Sequence, residues 1–187
     1  MRTRSRPELP RRGDGLTLVE MLIALTLLGM ALALGVPSLR DCFVRTSVSA
    51  GADALVAAMH TARMEALTLN AQVTICKSTD PQATSPACAD SSAEWPGGWV
   101  VFVDQGAAGV IDGPDRVITT GRANGAIDAA SETPLGVAAI TFSPVGPVVG
   151  ISGPYEIRFA SLLTRGVFEK VICLSILGRA RTGRCPA

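Results

Sequence analysis

From Leu16 to Val36 the chain is almost unbrokenly apolar, 21 residues whose only charge is Glu20. At ~1.5 Å per residue, a helix of that length crosses a hydrocarbon core of ~30 Å. A secretory signal peptide has a shorter apolar core followed by a small-residue cleavage site, whereas this run continues into more helical pattern. After Pro37 apolar residues recur at Leu39, Phe43, Val48, Ala52, Leu55, Met59, Ala62 and Ala66. Steps of three to five residues are helical, so Pro37 should kink one long helix rather than end it. The pattern predicts a transmembrane helix over 16–37 and an amphipathic helix over 38–70 whose stripe packs on a head. His60 and Arg63 fall in this second half and are expected to face sheet or solvent.

Beyond Asn70 the texture changes to short alternating or β-branched runs: "QVTICK", "GWVVFVD", "DRVITT", "VAAITFS", "YEIRFA" and "FEKVICLSI". Glycine and proline separate them, which predicts strands of a mainly antiparallel β-sheet head over 71–187 and an α+β fold. The polar stretch "STDPQATSPACADSSAEWPGG" reads as a surface excursion. Asp104, Asp112 and Asp115 suggest a calcium loop, but the spacing disagrees. Counting from Asp104, the third and fifth positions hold Gly106 and Ala108 where oxygen ligands are needed, so a polar hairpin connection is expected.

The formal charge of +1 conceals an asymmetry. Arg2, Arg4, Arg6, Arg11 and Arg12 precede the apolar run against only Glu8 and Asp14. Without the first fifteen residues the chain keeps 12 basic and 14 acidic side chains, about −2,. Bulk charge thus gives no reason to expect nucleic-acid affinity. Of five cysteines, the last four form two locally spaced pairs, neither of them CxxC, and the only histidine is His60. An oxidising compartment fits this better than a metal site, and the expected bridges are Cys76–Cys88 and Cys173–Cys185. Cys42 remains, either buried against helical neighbours or a free thiol. No nucleophile motif or set of metal ligands is present, so neither catalysis nor a cofactor is expected.

Glu20 needs a partner, since an ionised carboxylate in a membrane helix costs roughly 2.5–3.5 kcal/mol. Cleavage between Gly15 and Leu16 would create an α-amine four residues away, or one step along on a neighbouring subunit. At ~4 Å and an effective dielectric near 20, that pair gains about 4 kcal/mol before desolvation. Basic leader, Gly15, "LTLVE" with the glutamate fifth after the glycine, and the apolar helix together resemble the class III signal of type IV pilins and type II secretion pseudopilins. The resemblance implies removal of residues 1–15 by a prepilin peptidase and N-methylation of the new terminus. It also implies an inner-membrane anchor with a periplasmic head before assembly, then packing with other pilins or pseudopilins in a filament of a Gram-negative bacterium. Leu16 stands where the family most often has phenylalanine.

With the strands around it, the tryptophan-and-aspartate segment "WPGGWVVFVDQGAAGVIDGPDRVI" is similar to the head of the FimT and GspH group of minor pilins and pseudopilins. The chain closes in "VICLSILGRARTGRCPA", which carries Arg179, Arg181 and Arg184 and no acid after Leu174. Closing this loop of about 13 residues with a disulfide stabilises by ~3 kcal/mol in the chain-entropy model, and also restrains the arginines. If the stretch after Gly178 is extended, alternation puts Arg179 and Arg181 on one side, roughly 6–7 Å apart, near the spacing of adjacent phosphates. The planar guanidinium suits phosphate because it donates two hydrogen bonds at once. "GRAR" resembles the Gly-Arg-any-Arg pattern of FimT-like pilins. That likeness implies weak, sequence-independent DNA binding for natural transformation, with Gly178 permitting the turn and Arg179 and Arg181 on the backbone. Arg184 and Lys170 join them by position and charge alone. The alternative is a GspH-like structural pseudopilin near the tip of a type II secretion filament, without DNA binding.

Overall fold

A computed structural model of the protein describes residues 17–123, 125, 127–162 and 168–186, so Gly15 and Leu16 lie outside the described residues. The chain divides into two compact units between Leu39 and Arg40.

Helix α1 runs Leu18–Leu69 and continues through position 37 without a break. At its start the Thr17 Oγ1 accepts the Glu20 N–H at 3.2 Å, half of the capping box that "TLVE" spells. At its end Asn70 turns to φ 50° and the Ala71 N–H reaches the Ala66 carbonyl at 3.3 Å. This six-to-one closure lets a left-handed asparagine terminate the helix.

In the first unit, Leu18, Leu22, Ile23, Leu25, Leu28 and Met30 are all more than half exposed. By length and composition Leu39–Leu69 would also pass as a membrane span, but its stripe is spent on the head. Val48, Ala52, Leu55, Met59, Ala62 and Ala66 are fully buried there, each large side chain contributing about 1.5–3 kcal/mol. The apolar segment Leu18–Ala33 is therefore the anchor. The stripe begins at Val44, not at Leu39 and Phe43, which are exposed.

The head holds nine strands among the described residues, in two antiparallel sheets rather than a single one. The first contains β1 (Val73–Lys77), β2 (Trp99–Val103), β3 (Arg116–Gly121), β5 (Ala139–Phe142) and β6 (Val148–Val149), in the order β3-β2-β1-β5-β6. The second contains β4 (Ala129–Thr133), β7 (Tyr155–Ser161), β8 (Phe168–Leu174) and β9 (Ala180–Thr182), in the order β4-β7-β8-β9. All six runs expected from alternation are strands, and β4, β6 and β9 are additional. Alternation along β7 buries Tyr155, Ile157, Phe159 and Ser161 and turns Glu156 and Arg158 outward. One core unites the α1 stripe with Ile75, Val101, Ile140, Phe142, Ile157, Phe159 and Ile172. Strand β1 is buried on both faces, because Cys76 packs with Val100 and Phe102 beneath Cys88 and Ile111.

Candidate nucleic-acid interface

Strands β8 and β9 form the C-terminal hairpin, with Cys173 opposite Arg181 and Leu174 opposite Ala180. Between them Ser175–Gly178 closes a turn in which the Gly178 N–H donates to the Ser175 carbonyl at 2.8 Å. Gly178 has φ 75°, and a Cβ there would sit 2.2 Å from the Gly146 carbonyl oxygen. Glycine is thus required twice over, for its left-handed backbone and for the close approach. Arg179 and Arg181 flank the buried Ala180 and are both exposed. Cross-strand partners share a face, so Arg181 projects from the outer side of the second sheet with Cys173.

Cys173 and Cys185 are bonded, with Cα atoms 5.2 Å apart. The bridge ties the segment after β9 to the same outer face that carries Arg181. Arg181 Nη2 donates to the Arg184 carbonyl at 3.3 Å, and Arg184 is itself exposed. Among the described residues none of Arg179, Arg181 and Arg184 is paired with a carboxylate, whereas Arg158 on the same face is held by Glu156 and Glu169. Among the described residues the hairpin thus gathers three guanidinium groups without a carboxylate partner.

Lys170 does not join them. It lies opposite the buried Phe159, which by strand parity puts it on the core side of β8, the other face from Arg181. Arg63 was expected only to touch sheet or solvent, yet it meets the hairpin. Its Nε donates to the Gly146 carbonyl at 3.2 Å, and the same nitrogen lies 3.1 Å from where a Cβ on Gly178 would be. The turns Ser143–Gly146 and Ser175–Gly178 share one spacing and close alike, but nothing in that spacing points to Arg63.

The other candidate chemistry is occupied by structure. Asp104 Oδ2 accepts from the Thr74 hydroxyl at 2.7 Å and the Gly109 N–H at 2.8 Å. Asp112 accepts from the Ala107 N–H, and Asp115 from the Gln105 and Asp112 N–H groups. These carboxylates brace their own loop. Cys76 and Cys88 are bonded with Cα atoms 5.5 Å apart, Cys42 is free and exposed, and His60 is exposed on α1.

A polar cluster between the sheets has no counterpart in the sequence reading. Lys77 Nζ lies 2.9 Å from Glu132 Oε1, and the Trp95 indole N–H reaches Glu132 Oε2 at 3.0 Å and the Tyr155 oxygen at 2.9 Å. The Tyr155 hydroxyl donates to the same carboxylate. Burial, and then this hydrogen bond, push its pKa well above the usual tyrosine value.

A long helix, apolar in one unit and amphipathic in the next, followed by an antiparallel disulfide-bonded head, defines a pilin-like protein. The family profile described as "Type II transport protein GspH" matches residues 51–178, and the "Prokaryotic N-terminal methylation motif" matches residues 10–36. The chain belongs to the GspH family. It is a membrane-anchored pilin of a pilus or pseudopilus, and such pilins assemble with other pilins after prepilin peptidase processing. The type IV minor pilin FimU from Pseudomonas aeruginosa, in its P21 crystal form, shares the type IV pilin-like fold. The P21 form has TM-score 0.51 at 19% identity, over 75% of this chain and 90% of that one. The P65 form has TM-score 0.49 at 18% identity, over 73% and 92%. No curated protein matches the chain. The GspH match ends at Gly178, just before the three arginines.

Proposed function

We propose that this chain is a FimT-like minor pilin that binds the DNA backbone through its C-terminal hairpin and supports DNA uptake in natural transformation. The observation that carries the reading is the set of three exposed arginines, Arg179, Arg181 and Arg184, without carboxylate partners among the described residues, on a turn closed by Cys173–Cys185. A pre-ordered guanidinium loses less freedom on binding than one on a free tail, and phosphate is the ligand its fork fits. With three such groups the affinity is low and indifferent to sequence, so firm capture needs several copies along a filament. The role is binding and assembly rather than catalysis.

Salt titration of DNA binding tests this. About two to three phosphate contacts give a log–log slope of about −2 to −3 on duplex DNA. An Arg179→Gln, Arg181→Gln double variant that remains folded should lose most of the binding. If wild type and variant bind alike at low salt, the second reading takes over. That reading is a GspH-like structural pseudopilin of a type II secretion filament tip, and it is favoured by the family match itself.

A further inference from the structure

We infer that Arg63 on α1 is the positioning residue of the arginine hairpin, locking two separate turns into one platform through its Nε. This rests on the DNA-contact reading of that hairpin. The turn Ser143–Gly146 and the turn Ser175–Gly178 come from different sheets and share one geometry, with the glycine N–H donating to the serine carbonyl at 2.9 and 2.8 Å. Gly146 and Gly178 both have positive φ, 100° and 75°. Their backbones touch, since a Cβ on Gly178 would meet the Gly146 oxygen at 2.2 Å. The Val148 N–H adds a bond of 3.0 Å to the Ile176 carbonyl.

Arg63 lies against this junction. Its Nη2, Nε and Cζ sit 3.2, 3.3 and 3.6 Å from the Cβ position of Gly146, and its Nε and Cδ sit 3.1 and 3.2 Å from that of Gly178. The guanidinium therefore rests on two glycine backbones that only the absence of side chains leaves accessible. Its Nε bond to the Gly146 carbonyl at 3.2 Å satisfies an acceptor at a half-buried junction,. Arg179 follows Gly178 directly, so the direction in which it leaves the turn is set by the junction Arg63 holds. The helix that builds the core thereby fixes the aim of the residues proposed to touch DNA.

Two substitutions separate position from charge. Arg63→Gln keeps an N–H donor at the ε position and loses the charge. Arg63→Lys keeps the charge and puts a methylene where Nε was. The experiment uses the full chain in a neutral detergent, a mixed-sequence DNA duplex over a salt series, and hydrogen exchange at the Gly178 and Val148 amides. A positioning role predicts that Arg63→Gln binds within about twofold of wild type, while Arg63→Lys binds about fivefold more weakly at an unchanged salt slope. The two amides should exchange about tenfold faster in Arg63→Lys than in Arg63→Gln. Retained binding in Arg63→Lys, with Arg63→Gln losing about one unit of salt slope, would make Arg63 a phosphate contact and overturn the inference. Wild-type exchange rates in both variants would overturn it too. Should the wild type bind no DNA, the DNA reading fails, and the exchange rates still decide whether Arg63 holds the turns.

Discussion

Lys77 on β1 and Glu132 on β4 lie 2.9 Å apart with side chains 2% and 11% exposed, so one buried ion pair links two sheets that share no backbone ladder. Three further donors, from Trp95, Tyr155 and Gly136, complete the carboxylate. Removing it strands a buried ammonium. Glu132→Ala should therefore cost about 3–5 kcal/mol in urea unfolding, and a loss under about 1 kcal/mol would mean that water reaches Lys77.

Tyr155 makes the head sensitive to alkali. Its folded pKa is raised above the unfolded value of 10.0 by burial and by Glu132. Its contribution is complete below that value and is lost as pH rises above it, because only the unfolded chain then releases the proton. Between about pH 10 and 12 the wild type should lose stability more steeply than Tyr155→Phe. Parallel curves from thermal melts across that range would refute the assignment.

Gly178→Ala forces a side chain into a left-handed conformation and toward the Gly146 oxygen. A destabilisation of about 1–3 kcal/mol is expected, with faster exchange confined to the two clamped turns. A melting temperature equal to wild type would show that the junction relaxes freely.

Reduction of Cys173–Cys185, or its replacement by two serines, should cost ~3 kcal/mol for a loop of this length and weaken DNA binding at unchanged salt slope. Loss of stability without loss of binding would show that the arginines need no restraint.

The loop from Asp104 to Asp115 should be indifferent to calcium: backbone N–H groups hold Asp104 Oδ2, Asp112 Oδ2 and both oxygens of Asp115, and the buried Asp112 Oδ1, which has no partner, falls far short of the about six to eight oxygens the ion takes. Thermal melts with calcium and with chelator are expected to coincide. Asp104→Ala, which leaves the Gly109 N–H short of an acceptor and the buried Thr74 hydroxyl with only Thr141 Oγ1 at 2.7 Å, should cost about 1–3 kcal/mol in either buffer.

The helix and six strands were legible because burial imposes periods of 3.6 and 2 on the residues that supply the core. Strand β4 was not, because "AASET" has no apolar alternation and its inward position Glu132 is a carboxylate. Strands β6 and β9 are two and three residues long, too short for any period to register. The division into two sheets left no trace either, since it depends on which strand edges meet. At the hairpin, "GRAR" marked the turn glycine and two exposed arginines, while Lys170 lies on the other face of the sheet despite its position and charge. Separation along the strand is not proximity when parity sends the side chain through the sheet. Arg63 was hidden because its partners are backbone atoms of two turns distant in sequence.

The two disulfides also bear on a head under tension. Each spans 12 residues and joins Cα atoms 5.5 and 5.2 Å apart, so at ~3.4 Å per residue each withholds about 35 Å of chain from extension. A filament pulled against such heads would find a tether shorter by about 70 Å per subunit than the same sequence reduced.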